Sequence, residues 1–244
     1  MKNKILFILA THGDESFSID VLKKIESNYP KAVYGYDWVI GNEKALKEKV
    51  RFIKTDLNRS APGRDDSSSY EEKRVAELIR LANKYKYVID IHGTISNTGI
   101  FTIIPKPDIK NILFSAILPI KRNVFWYSKR SLDKGPIVQF CKPSALEIEC
   151  GPKSSPKIAR ELEKVIIYLL INMQRQEYET LFSLLSNKEF YAVYGSQNVF
   201  NKGIRDFKSV NLNGEQFYPL LINQYRSISY YKMRKISFQD LFLY

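Results

Sequence analysis

The chain contains two histidines, and both end the same kind of segment. "KILFILATH" runs an apolar stretch into His12, and "YKYVIDIHG" runs one into His92; a glycine follows each. In open α/β sheets ligands bind beyond the carboxyl ends of strands, so two such strands could bring His12 and His92 together. Glu15, three residues after His12, offers a carboxylate from the same turn. Two imidazoles and one carboxylate, with a fourth position left open, form a ligand set of catalytic zinc sites. The competing reading for each histidine is a hydrogen-bonded residue closing a strand. Two histidines in matching contexts, and none elsewhere, favour the metal. Asp90, two residues before His92, could support that imidazole from behind or only stabilise a loop. The helical H-E-x-x-H pattern is absent, which argues against a zincin-type site.

Two further stretches carry polar groups where chemistry could use them. In "VRFIKTDLNRSAPG", residues 50–63, Asn58 and Arg59 follow a short apolar run that begins beside Arg51. An amide next to a planar guanidinium suits a carboxylate ligand, although Asp, Asn, Ser, Pro and Gly would equally build a surface turn. In "SALEIECGP", residues 144–152, strand alternation puts Glu147 and Glu149 on one side. A carboxylate beside a metal site is the general base that hydrolysis needs; the alternative is an edge strand with its acids in solvent.

The elements that must position these groups alternate in type. Strands are expected at Ile5–Ala10, Ala32–Gly35, Trp38–Ile40, Val50–Ile53, Tyr87–Ile91, Gly99–Ile104, Asn123–Tyr127, Ile137–Cys141 and Ala145–Ile148. Helical spacing predicts Ser16–Ser27 and Tyr70–Tyr85, and Ser155-Pro156 opens a helix to about Met173. The alternation predicts an α/β core with a mixed, largely parallel sheet flanked by helices. From about Lys188 the segments become short and strand-like, at Glu189–Tyr194, Val199–Phe200, Lys208–Leu212 and Phe217–Ile222, with Asn213-Gly214 as a hairpin turn. The expected organisation is an α/β domain over 1–187 and a small β-rich region over 188–244 that covers the cleft.

Composition narrows the classes. With 44% hydrophobic residues among 244, the chain can bury one sizeable core. Cys141 and Cys150 cannot build a disulfide framework or a four-cysteine zinc site. No stretch approaches the length of a membrane span, and the N-terminal apolar run leads into His12 rather than a cleavage site. A cytoplasmic protein without a membrane partner is expected. The formal charge of +12 is spread along the chain, which reads as a solubilising surface before it reads as a nucleic-acid face.

Taken in order, "THGDE", "VRFIKTDLNR", "DIHG" and "ECGP" resemble the signature segments of the succinylglutamate desuccinylase/aspartoacylase family, within the zinc carboxypeptidase-like clan. "GNEKALKEK" before Val50 resembles that family's approach to its arginine-bearing segment. The resemblance implies a zinc-carboxypeptidase-like core and one Zn²⁺ per chain held by His12, Glu15 and His92. It implies Glu149 as base and then acid, Arg51 as the group that polarises the scissile carbonyl, and Asn58 with Arg59 as a clamp for the substrate's α-carboxylate. A C-terminal tyrosine enters the site in that family. After "YPLLINQ" Tyr230 is the nearest counterpart, with Tyr231 and Tyr225 open. An arginine upstream of the base grips an acidic side chain in aspartoacylases, and Arg130 is the nearest candidate, farther from Glu149 than the family's spacing. The implied activity is hydrolysis of a small anionic N-acyl amino acid by metal-activated water. A metallocarboxypeptidase acting on peptides is the close alternative, and a basic nucleic-acid-binding protein the distant one. A homo-oligomer is compatible with either enzyme.

Overall fold

The computed structural model describes residues 5–127, 133–173, 178–199 and 203–243. Ten strands form one sheet: β1 (Ile5–Leu9), β2 (Tyr36–Ile40), β3 (Tyr87–Gly93), β4 (Gly99–Ile104), β5 (Arg122–Phe125), β6 (Ser144–Gly151), β7 (Glu189–Gln197), β8 (Val210–Leu212), β9 (Glu215–Leu220) and β10 (Tyr230–Ile236). Their order is β2-β1-β3-β6-β4-β5-β7-β10-β9-β8. β2, β1, β3 and β6 run parallel; β4 lies antiparallel to β6, and β5 and β7 continue parallel to β4. The last three strands join antiparallel. The helices are α1 (Phe17–Asn28), α2 (Lys31–Tyr34), α3 (Glu43–Glu48), α4 (Tyr70–Ala82), α5 (Ile109–Ile117), α6 (Pro156–Asn172) and α7 (Tyr178–Leu185).

The alternation of β1 explains how both faces are covered. Ile5, Phe7 and Leu9 point into the cluster shared with α1, α5, α6 and α7, while Leu6 and Ile8 point into the one shared with α4. Period two on a strand sends neighbours to opposite faces, so an unbroken apolar run reads as a strand buried on both. α4 presents Val75, Leu78 and Ala82 at helical spacing to that second cluster, with Glu71 and Glu72 in its first turn and Arg80 in its last, matched to the helix dipole. A third cluster ties Phe101, Ile103 and Val124 of the central sheet to Tyr191, Phe207, Leu220 and Met233 of the C-terminal strands. Asn213 and Gly214 both have positive φ, the two-residue turn expected between β8 and β9.

Several expected elements differ. Ala32–Gly35 is not a strand: α2 occupies Lys31–Tyr34 and Gly35 ends it at φ 69°. Val50–Ile53 forms no strand either, and Val50, Phe52 and Ile53 are exposed; the segment is tied by Glu71, whose Oε1 accepts from the amides of Ile53 and Lys54 at 2.8 and 3.1 Å. Ile137–Phe140 is a 3-10 helix rather than a strand. Val199 lies outside any strand. α3, α5, α7 and β10 have no counterpart in the sequence reading. Among the described residues no helix is long and apolar enough to cross a membrane.

Candidate metal centre and active-site cleft

The turn after β1 is built so that His12 and Glu15 face the same way. The Glu15 amide donates to His12 O at 3.0 Å, and the Gly13 amide donates to Arg51 O at 3.2 Å. A Cβ on Gly13 would stand 2.0 Å from the Ala45 carbonyl carbon, so only glycine lets the turn approach α3 this closely. His92 comes from the end of β3, the strand beside β1. Both histidines thus sit at carboxyl ends of neighbouring parallel strands. Glu15 is anchored in turn by the Gly93 amide, which donates to its Oε2 at 2.9 Å.

Three acceptors converge here. His12 Nδ1 is 3.0 Å from Glu15 Oε1 and 3.3 Å from His92 Nδ1, and His92 Nδ1 is 3.3 Å from Glu15 Oε2. His12, Glu15 and His92 are all buried. Behind each ring a carboxylate faces the other nitrogen: Asp56 Oδ1 lies 3.1 Å from His12 Nε2, and Asp90 Oδ2 lies 3.0 Å from His92 Nε2. Asp90 is itself held by Thr11, whose hydroxyl donates to Oδ1 at 2.8 Å. At His12 a carboxylate at Nε2 favours the tautomer with its proton there and leaves the Nδ1 lone pair bare, the arrangement that orients histidine ligands on metals; Asp90 Oδ2 stands near His92 Nε2 without hydrogen-bond alignment, and Asn58 Nδ2 lies 3.4 Å from the same nitrogen.

The donor set fits zinc. Two imidazole nitrogens and one carboxylate oxygen are a set that binds zinc, and one such atom from each of the three residues lies within 4.8 Å of the other two. The surrounding field also calls for positive charge. Burial opposes protonation of His12, but Glu15 and then Asp56 outweigh it and raise the imidazole pKa. His92 is raised well above its ordinary value because Asp90 overcomes the same burial. Burial would push Glu15 up, yet His12 and His92 hold it well below the carboxylate range. A divalent cation meets that demand at one point.

A cleft of about 260 Å³ opens beside this cluster, lined among others by His12, Arg51, Asn58, Arg59, His92, Glu147 and Glu149. Glu149 and Glu147 do share one side of β6, as alternation requires. Their environments differ. Glu147 is buried and accepts from Asn58 Nδ2 at 2.7 Å, which also puts its Oε1 3.6 Å from His92 Nε2. Glu149 is half-buried, and desolvation lifts its pKa to about 7, in the range where a carboxylate exchanges protons at neutral pH.

Arg51 and Arg59 are used differently. Arg51 donates to Asp56 Oδ2 through Nε at 3.3 Å and Nη2 at 3.1 Å, and its Nη1 stands 3.5 Å from Glu15 Oε1. Arg59 donates to Asn58 O at 3.0 Å and, among the described residues, is in no ion pair. Its remaining N–H groups are open to an anion in the cleft. The Asn58 amide is committed to protein: Nδ2 to Glu147, and Oδ1 to the Ile137 amide at 3.2 Å. It fixes the glutamate and the 3-10 helix around Arg59.

The tyrosines sort by strand parity. Tyr230, the nearest counterpart by sequence, points away from the cleft; it is 1% exposed and stacks on Phe217 at 5.7 Å. Tyr231, its neighbour on the opposite face of β10, lines the cleft, as does Tyr225 from the preceding loop. Burial raises the Tyr225 phenol to about 12, with Glu149 adding to the effect, so it stays protonated and able to donate. Arg130 lies outside the described residues. Sequence reasoning missed Asp56, the residue that joins His12 to Arg51. Its signal was there, an acid between an arginine and an Asn-Arg pair, but it read as turn chemistry. It also missed Gln139 and Trp126, which line the cleft.

Comparison with known proteins agrees with this layout. The model of the succinylglutamate desuccinylase/aspartoacylase catalytic domain matches residues 2–116. A probable aspartoacylase of Prochlorococcus marinus strain AS9601 is 28% identical over 196 residues, covering 73% of this chain and 63% of that one. The chain therefore spans less than two thirds of the length of such relatives. An N-acyl-aromatic-L-amino acid amidohydrolase (carboxylate-forming) of Xenopus laevis is 29% identical over 119 residues, 43% of this chain and 39% of that one. Murine aminoacylase 3 shares the fold with a TM-score of 0.73 over 96% of both chains at 17% identity. The succinylglutamate desuccinylase of Chromobacterium violaceum does so at 0.70, over 97% of this chain and 85% of that one at 15% identity. In its ordered motifs, its sheet and the cluster at the strand ends, the chain is similar to the succinylglutamate desuccinylase/aspartoacylase family.

Proposed function

We propose that the protein is a zinc-dependent amidohydrolase that cleaves the amide bond of a small N-acyl amino acid. The observation that carries this reading is the convergence of His12 Nδ1, His92 Nδ1 and the Glu15 carboxylate, each backed by a partner, beside a half-buried Glu149. When bound, zinc would supply a Lewis acid that polarises a carbonyl and makes water acidic enough to be deprotonated near neutral pH. Glu149 takes the proton from the attacking water and returns it to the leaving nitrogen as the C–N bond breaks, so the products are a carboxylate and a free amine. Arg51, steered by Asp56, presents its remaining donors to the oxygen where negative charge develops; a donor of this kind is worth about 3 kcal/mol. Arg59 holds the substrate's own carboxylate and sets the distance between that anchor and Glu149.

The C-terminal region over 188–244 contributes Leu221, Tyr225 and Tyr231 to the cleft. In this reading it acts as a cover that leaves room for an acyl amino acid and excludes a longer chain. The test measures free amine released from a panel of N-acyl amino acids and from peptides of four or more residues. Faster release from the small amides is the expected result. Faster removal of C-terminal residues from peptides would make the protein a carboxypeptidase on the same zinc chemistry.

A further inference from the structure

A second recess, of about 670 Å³, lies between the start of β5 and the loop that follows β7, and no residue lines both it and the cleft. Three cations face it: Arg122, the first residue of β5, and Arg205 and Lys208 from the loop. The Lys208 amide donates to Arg205 O at 3.2 Å, so both side chains leave one tight turn. Phe207 pins that turn: its ring is buried, and its amide donates to Pro219 O at 3.0 Å. The same ring carries the Arg122 guanidinium 4.7 Å from its centroid, and Arg122 Nη1 donates to Thr98 O at 3.1 Å. Arg122 is therefore held in place, and its other N–H groups make no protein hydrogen bond among the described residues. Asp206, in the same turn, feels the charge of Arg122, but its Oδ1 is spent on the Ile222 amide at 3.2 Å. Among the described residues no acid forms an ion pair with Arg122, Arg205 or Lys208. From Phe190 to Arg205 the sequence itself contains no acid.

We propose that this recess binds a phosphate-bearing small molecule whose phosphate oxygens are taken by Arg122, Arg205 and Lys208. Three positive charges against one negative leave a local excess that an anion offsets. A guanidinium presents a planar fork that matches phosphate oxygens two at a time, and lysine adds a point charge from its own direction. Because Arg122 is already fixed on Phe207 and Thr98, it loses little freedom when the ligand arrives. Arg205 and Lys208 are exposed and must be ordered on binding, so the affinity is modest and falls with salt. The recess lies within the range of about 300–1,000 Å³ typical of small-molecule pockets, which leaves room for the group that carries the phosphate. A positive surface that only keeps the chain in solution needs neither a fixed guanidinium nor a turn that aims two more cations at the same space. None of the three cations lines the cleft, so this site stands whether or not the protein cleaves amides.

Isothermal titration calorimetry of the whole chain with ADP, inorganic phosphate and adenosine, in about 0.15 M salt, tests the site. ADP should bind at one per chain and adenosine should not bind. Arg122→Gln, Arg205→Gln and Lys208→Gln should each weaken ADP by about 5-fold or more, the lower end for charge-assisted contacts at a solvated site. Arg205 and Lys208 have exposed side chains, so their variants keep the test open if Arg122→Gln disturbs the packing on Phe207. Lys157→Gln, on the exposed face of α6, should change the affinity less than about 2-fold. Tighter binding of ADP than of phosphate assigns the recess to an organic phosphate, and equal affinity assigns it to the free ion. No binding of either anion, or adenosine as tight as ADP, would overturn the proposal. So would an equal loss in Lys157→Gln, which would mean attraction by net charge alone. A loss in Arg59→Gln with none in the Arg122, Arg205 and Lys208 variants would place the anion in the cleft and overturn it too.

Discussion

Asp56 offers the sharpest test of how the cluster is held. Its Oδ1 faces His12 Nε2 at 3.1 Å and accepts from the Asn58 amide at 2.9 Å, while its Oδ2 takes two contacts from Arg51 at 3.1 and 3.3 Å. Asp56→Asn keeps the shape and removes the charge. Whichever way the new amide turns, an NH₂ group must face either the guanidinium of Arg51 or the donor nitrogen of His12. Both halves of the present arrangement are charge-assisted, and such hydrogen bonds are roughly twice as strong as neutral ones. Outer partners of metal-binding histidines typically contribute 10–100-fold in metal affinity, which is about 1.4–2.7 kcal/mol. A competition titration of metal-free protein against a chromophoric zinc chelator reads this directly, without any assumption about substrate. Asp56→Asn should weaken zinc by 10–100-fold while the metal-free protein keeps its circular dichroism spectrum. A dissociation constant within twofold of the parent would show that Asp56 does not hold His12 for a metal, and the carboxylate–histidine reasoning would fall with it.

Three further outcomes follow from residues around the cleft. Glu149→Gln should keep zinc and fold yet lose nearly all turnover, whereas Glu147→Gln, which only weakens the contact to Asn58, should be milder; the reverse ranking in steady-state assays would move the base to Glu147. Arg59→Lys should lose about 2–3 kcal/mol in kcat/KM on a substrate with a free carboxylate, the scale of hydrogen bonds to charged groups. It should lose almost nothing on the carboxamide analogue, and equal losses on both would remove Arg59 from the clamp. Asp206 tests electrostatics away from the site: burial lifts its pKa from 3.8 to about 6, with the Ile222 amide donating to it at 3.2 Å. Because the folded form binds the proton more tightly, stability should fall as pH rises from about 4 to 6 and stay level above. The bound is roughly 3 kcal/mol, reduced by the solvent that reaches the group. Asp206→Asn should therefore melt higher than the parent at pH 7–8 and lose that advantage near pH 4; a constant difference across this range would contradict the raised pKa.

What was legible in the sequence was whatever depends on period and order. The apolar run into His12 and its copy into His92 encode two parallel strands, and their shared grammar reflects a shared position at the sheet's carboxyl edge. Glu147 and Glu149 show the reach and the limit of alternation. It puts both on one side of β6, but only the tertiary fold buries one against Asn58 and leaves the other at the cleft. Val50–Ile53 has strand composition without a strand because no neighbour pairs with it, and Glu71 of α4 takes its free amides instead. Tyr230 and Tyr231 are consecutive in the chain yet lie on opposite faces of the sheet. Motif spacing cannot settle such a choice when the loop before β10 has its own length. Asp56 reads as turn chemistry for a related reason: its partner His12 is brought to it only by the turn after β1 docking on the Arg51 carbonyl, a contact between segments that sequence leaves far apart.

The proposed function requires that amide hydrolysis depend on the His12–Glu15–His92 centre. The most direct measurement titrates zinc into metal-free protein while following release of amino acid from an N-acyl amino acid. Activity should climb linearly from a chelator-treated baseline near zero and break at one zinc per chain. Full activity in the metal-free protein, or hydrolysis that never responds to added zinc, would contradict the central claim.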